Sequence, residues 1–199
     1  MKGRTQMKLG VENGKVSIVE YDPAWTQEGQ RMIVFLKGIL TGSDIIDIQH
    51  VGSTAVRGLP AKPIIEIGVA VRSQDSVERY RPVLEANGFR YQGEIKPDDW
   101  MYYMSHPDRN DHTHHIHMIT AGSSCWTDYL VFRDYLNAFP EEMKYYGDVK
   151  LRLSAETGNS RDLYQGQKFS YIEPIKERAR KWAKSRAEHR NEEADHTEQ

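Results

Sequence analysis

The sequence predicts an α+β fold, in which a mixed β-sheet with packed helices is followed by a helical half. Three observations carry this. Residues 64–71 form an apolar run with a single charge, Glu66, as expected of a central strand covered on both faces. Residues 89–120 hold three further strand-like segments separated by turn-forming residues. From Ser123 onward the apolar side chains recur at helical spacing.

The elements follow in order. Residues 16–21 alternate apolar and polar side chains and suit a short strand or an extended lead-in. Asp22-Pro23 reads as a helix start, with Asp22 as N-cap and Pro23 at the first helical position. Trp25, Met32, Ile33, Leu36 and Leu40 then mark the buried face of a helix ending at Thr41-Gly42. Residues 45–49 are a strand leading into His50 and a Gly52-Ser53 turn, and the 64–71 strand comes next. A helix over 75–86 stops at Asn87-Gly88, with Pro82 expected to disturb its middle. Strands over 89–95 and 100–105 are joined by Lys96-Pro97-Asp98-Asp99, and 113–120 is the last strand. One helix ends before Pro140, a second runs from Pro140 to about Thr157, and a third follows Ser160, with Pro174 expected to kink it.

A chain of 199 residues fits one domain, placed at 15–183. The polar stretches 1–14 and 185–199 are expected to be disordered tails. A hydrophobic share of 38% with 28% charged residues describes a polar globular chain, with no apolar run long enough for a membrane span. The formal charge of -2 gives no support for a protein that coats nucleic acid or an acidic membrane, so any basic site must be local. The first residues lack an apolar core and Cys125 is the single cysteine, which makes a reducing cytoplasm the simplest location.

Two stretches could carry chemistry. In the first, Gly52, Ser53 and Thr54 follow a strand. Glycine there lets the backbone approach a phosphate, and Ser53 and nearby amides can donate to it. Lys62 adds a charge, and Glu66 sits on the face of a central strand, where an unpaired charge would be costly. It suits metal binding or general-base work, or an ion pair with Arg57, Lys62 or a helix lysine. In the second stretch, four of the chain's eight histidines fall within six residues. His115 and His117 project to one face of their strand and His114 to the other. If that strand lies beside the Glu66 strand, one carboxylate and two imidazoles converge, and His50 could be a fourth member. Arg133, Lys150, Tyr164 and Lys168 in the helical half are candidates to face phosphates across a cleft. Arg133 and Lys168 stand out because each falls on an otherwise apolar stripe. Cys125 has no base beside it and is read as structural.

The chain resembles the GrpB family, grouped with the nucleotidyltransferase superfamily, over residues 15 to 183. The residues that carry the resemblance are Val19-Glu20-Tyr21-Asp22-Pro23-Ala24-Trp25, His50-Val51-Gly52-Ser53-Thr54-Ala55-Val56, Lys62-Pro63-Ile64-Ile65-Glu66-Ile67, His114-His115-Ile116-His117, Phe132-Arg133-Asp134-Tyr135-Leu136, and Tyr164 with Lys168. It implies a polymerase-beta-like nucleotidyltransferase fold, with a triphosphate held at the Gly-Ser turn and acids on neighbouring strands holding two metal ions. This chain departs from that pattern. Superfamily enzymes carry Asp-x-Asp where the positions two away from Glu66 are Ile64 and Gly68, the family favours aspartate at Glu66, and it usually has proline at Arg57.

If the site takes a cofactor, it is a divalent cation, Mg²⁺, Mn²⁺ or Zn²⁺; with His115 and His117 in place of the missing acid, a transition metal or no metal at all is expected. Three functions fit. The first is a nucleotidyltransferase-like protein that binds a nucleotide or other phosphorylated small molecule and transfers a nucleotidyl group to an unknown acceptor. The second is a catalytically inactive accessory module, an analogy with family members fused to dephospho-coenzyme A kinase. The third is a transition-metal-dependent hydrolase.

Overall fold

The computed structural model describes residues 9–197, with side chains described to His189. The elements are β1 (Val11–Glu12), α1 (Ala24–Ile39), β2 (Ile45–Val51), β3 (Ile65–Val71), α2 (Gln74–Ala86), β4 (Arg90–Lys96), β5 (Asp99–Ser105), β6 (Asp111–Thr120), α3 (Ser124–Ala138), α4 (Pro140–Glu156) and α5 (Arg161–Thr197). The sheet runs β2-β3-β6-β5-β4, with β1 added to the start of β6. Among the described residues only β3 and β6 pair in parallel, so the sheet is mixed and the fold is α+β.

Pleating sorts the sheet into an apolar and a polar face. Ile48, Ile65, Ile67, Val69, Val71, Trp100, Tyr102, Ile116 and Met118 point one way and form the main core with Trp25, Met32 and Leu36 of α1 and Val77, Tyr80 and Leu84 of α2. The register Glu66↔His115, Gly68↔His117, Tyr103↔His115 and Met101↔His117 puts those residues on the other face. Helices α3, α4 and α5 cover that side and pack on one another through Leu136, Tyr146, Ile175 and Ala179. No helix among the described residues is long and apolar enough to cross a membrane.

Several local expectations are met with small shifts. Asp22 Oδ1 accepts from Ala24 N at 2.9 Å, the N-cap interaction expected of it, although the helix begins at Ala24 rather than Pro23. Residues 16–21 are the extended alternative, joined to the rest of the chain by the bridge Val19↔Ala61, by Val16 N donating to Asn159 O at 2.8 Å, and by burial of Val16 against Val149, Leu153 and Tyr164. Ser160 precedes α5 and its carbonyl accepts from Tyr164 N. Helix α2 continues through Pro82, and α5 through Pro174.

The two tails need correction. Of the stretch 1–14, residues 1–8 lie outside the described residues, but Val11 is buried, β1 pairs with β6, and Gly10 N donates to Pro63 O at 2.9 Å. Val11 was too short a signal to read as a strand, because two residues pair only when an existing strand offers its edge. Of the stretch 185–199, residues to Thr197 are helical. The alanines, lysines, arginines and glutamates there are good helix formers, so an apolar face is not required to extend a helix already nucleated by packing.

Candidate functional site

The polar sheet face and the helical half enclose a cavity of about 480 Å³. On its sheet side Glu66, His115 and His117 converge, with one ligand atom from each lying within 4.8 Å of the others. Glu66 and His115 are register partners across the parallel β3–β6 pair, and His117 lies one pleat further along. A tetrahedral ion with bonds near 2.1 Å would need its ligands about 3.4 Å apart, so binding would draw the three inward. Glu66, with its rotatable side chain 30% exposed, is the member free to move.

The surroundings of His117 bear on whether a metal fits. Its side chain is 3% exposed. Nδ1 lies 2.9 Å from Asp99 Oδ1, while Nε2 has no hydrogen-bond partner and faces Glu66 Oε1 at 3.8 Å. A buried ring nitrogen without a partner is costly, and a carboxylate behind the opposite nitrogen is the usual support of a metal-binding histidine. His115 is backed by His112, with Nε2 and Nδ1 3.2 Å apart, and His112 stacks on Tyr103 at 4.2 Å. Two imidazoles and one carboxylate are a donor set for a transition metal such as Zn²⁺ or Mn²⁺ more than for Mg²⁺, which prefers oxygen. The residues present fit one such ion.

Electrostatics couples these groups. Burial works to raise the Glu66 carboxyl, but the pull of His117, His115 and Lys168 outweighs it and holds Glu66 at about 2. Burial opposes charge on His117, yet its bond to Asp99 and the nearness of Glu66 lift it to about 9. Burial dominates at His115 and lowers it to about 3.

The opposite wall is cationic. Lys15, Lys62, Lys150, Arg161 and Lys168 line the cavity with Tyr164 and Ser53. Lys15 is paired with Glu12 at 2.8 Å. Lys150 is 2% exposed and its Nζ has no hydrogen-bond partner, and the Tyr164 hydroxyl is also buried without one. Tyr146 offers partial compensation, its ring centroid lying 5.2 Å from Lys150 Nζ and 5.9 Å from Lys168 Nζ. Burial pushes Lys150 well below the ordinary lysine range, and burial with the neighbouring Lys168 lowers Lys62 to about 8. Buried unpaired donors of this kind call for an anion.

Four sequence candidates have other places. His50 opposes Ile67 and so faces the α1 side, away from Glu66. Its Nε2 lies 3.0 Å from Thr54 Oγ1, which donates to Ile64 O, and burial holds the ring at about 4. It cannot join the metal ligands, because adjacent strand residues point to opposite faces. Thr54 is thus committed to the backbone and absent from the cavity lining. Gly52 also does not line the cavity. It adopts φ 71°, and a Cβ there would lie 2.0 Å from Glu66 Oε2, so its glycine makes room for the carboxylate. Arg133 donates through Nη1 to Gln49 Oε1 and His50 O and through Nε to Asp134, tying α3 to β2. Ser53, Lys62, Lys150, Tyr164 and Lys168 do share the cavity with Glu66, His115 and His117.

Sequence reasoning missed Asp99, Tyr129, Lys15, Arg161 and His112. Asp99 looked like a turn residue. Its one signal was the period of two that sets Asp99, Met101 and Tyr103 on one face, informative only once β5 is known to neighbour β6. The lack of a second acid on β3 also has a structural counterpart. A Cβ at Gly68 would lie 2.9 Å from the Trp126 ring, which occupies the space a carboxylate would need.

The pattern of the GrpB protein family matches residues 15–178. The chain belongs to the GrpB family. The Glutamate-rich protein GrpB of Alkalihalophilus pseudofirmus is 31% identical over 84% of this chain and 97% of its own length. YqkA of Bacillus subtilis is 34% identical over 86% of this chain, which spans 49% of that protein. Among solved structures, GrpB of Enterococcus faecalis superposes with a TM-score of 0.75 at 30% identity, covering 84% of this chain and 99% of that one. A structure of the Cid1 poly(U) polymerase gives a TM-score of 0.48 at 13% identity, over 67% of this chain and 42% of that one.

Proposed function

We propose that this GrpB-family protein binds a nucleotide or a similar phosphorylated small molecule together with one transition-metal ion, and acts as a nucleotidyltransferase-like protein. The observation that supports the reading best is the pairing of opposites in one cavity. Glu66, His115 and His117 lie on the sheet wall, and the unpaired Lys150 and Tyr164 lie with Lys62 and Lys168 on the other.

In this reading Glu66, His115 and His117 would hold the ion, which supplies Lewis acidity to a phosphate oxygen when bound. Lys62, Lys150 and Lys168 neutralise the phosphate chain, and the hydroxyls of Ser53 and Tyr164 orient it. Transfer would place an acceptor hydroxyl in line with the α-phosphorus, so that the new O–P bond forms as the bond from that phosphorus to the bridging oxygen breaks, with pyrophosphate leaving against the lysines and the hydroxyl proton passing to solvent. The absence of a second carboxylate at Ile64 or Gly68 argues against a two-ion site on β3. A catalytically inactive accessory module is the second reading, and that same observation favours it.

A thermal-shift screen of nucleoside triphosphates with and without Mg²⁺, Mn²⁺ and Zn²⁺ tests the binding claim. Ligand and transition metal together should raise the melting temperature beyond either alone, and no combination doing so would overturn it. Release of labelled pyrophosphate from a bound triphosphate then separates the transferase from the inactive module.

A further inference from the structure

Asp99 is a carboxylate at 0% exposure, a costly placement that the phosphate site does not itself require. Three groups meet it. His117 Nδ1 lies 2.9 Å from Oδ1, the Tyr129 hydroxyl donates to Oδ2 at 2.9 Å, and Lys96 Nζ stands 3.5 Å from Oδ2. Lys96 in turn lies over the Tyr129 ring at 4.1 Å. Tyr129 comes from α3 and Asp99 from the first position of β5, so the group ties the helical half to the sheet directly behind His117.

We propose that Asp99, held by Tyr129, is a positioning residue that keeps the proton of the neutral His117 ring on Nδ1 and turns Nε2 toward Glu66, so that Nε2 is the nitrogen left to bind a borderline transition-metal ion. The inference rests on the metal-site reading above. Asp99 bonds to only one ring nitrogen, and the other is the buried atom left without a partner. A carboxylate can only accept from Nδ1–H, whereas an amide at the same place can also donate to Nδ1. Donation would favour the tautomer with a proton on Nε2, which closes that position to a metal. Tyr129 restricts Asp99 by occupying its second oxygen. Burial keeps the Tyr129 phenol far above its ordinary range, so it remains a donor.

The experiment compares the full-length protein with Asp99→Asn and Tyr129→Phe. Zinc affinity is measured by competition with a chromogenic chelator from pH 7 to 9.5 and extrapolated to the fully deprotonated site, because Asp99→Asn also alters proton competition at His117. Nitrogen chemical shifts of the His117 ring report the tautomer above pH 9 without metal. Asp99→Asn should lower the extrapolated affinity by about 10- to 100-fold and move the proton from Nδ1 to Nε2. Tyr129→Phe, which keeps the carboxylate, should lower it several-fold and carries the test if Asp99→Asn does not fold. Unchanged affinity in a folded variant, with Nδ1 still protonated, would show Asp99 to be only structural and overturn the inference while leaving the metal site standing. A wild-type protein that binds no zinc would remove the metal reading itself, and this inference with it.

Discussion

His117 and Lys150 are the two residues whose environments constrain the chemistry most. His117 has its ordinary value raised to about 9, so at neutral pH the metal-free ring carries a proton that an incoming ion must displace. Apparent metal affinity should therefore climb about tenfold per pH unit between pH 6.5 and 8.5 and level off above about 9, as read by chelator competition. Lys150 is a buried amine without a hydrogen-bond partner. Lys150→Met should stabilise the ligand-free protein by about 1–3 kcal/mol in urea unfolding, since it removes an unsatisfied polar group. The same variant should lose the thermal shift given by triphosphate while keeping that given by metal. At this scale strand periodicity put His115 and His117 on one face, and their meeting with Glu66 was conditional on the two strands being neighbours, a condition that the β3–β6 pairing meets. It did not show Asp99 or Tyr129. Their importance depends on β5 lying next to β6 and on the pitch of α3 over the sheet, and neither is a local property.

At the scale of elements, the turn after β2 is organised around Glu66 more than around a phosphate. Gly52→Ala places a methyl where Glu66 Oε2 now lies, and it also strains a backbone at φ 71°. Metal affinity should fall at least tenfold, with a destabilisation of about 1–2 kcal/mol, and an unchanged affinity would contradict the reading that Gly52 makes room for the Glu66 carboxylate. A similar close fit joins α1 to β2, where a Cβ at Gly29 would lie 2.4 Å from His50 Nδ1. Gly29→Ala should destabilise by about 1–3 kcal/mol without changing metal affinity, since His50 lies on the other face of the sheet. Such contacts explain why the strands and helices were legible in the sequence while His50 and Arg133 were misplaced. Hydrophobic spacing marks an element and its buried side. It does not say which polar residues at the ends of elements are already engaged by a neighbour, as Arg133 is by Gln49 and His50.

For the molecule as a whole, the apolar sheet face with α1 and α2 forms the stable platform, and the polar face against α3, α4 and α5 forms the cavity. The N-terminal segment belongs to this assembly, since Val11, Lys15 and Ile18 line the cavity and β1 extends the sheet. Removing residues 1–14 should therefore lower both the melting temperature and nucleotide affinity, an effect that a disordered tail would not have. The division into a sheet part and a helical part was readable from composition and periodicity. The closing of one part on the other depends on long-range contacts such as Tyr129 with Asp99 and Arg133 with Gln49 and His50, which no local pattern encodes. The central claim is that Glu66, His115 and His117 hold one transition-metal ion at the floor of a phosphate-binding cavity. Anomalous diffraction from crystals grown with Zn²⁺ should show one peak per chain, about 2.0–2.2 Å from all three side chains. A peak elsewhere, or none at saturating zinc, would contradict it.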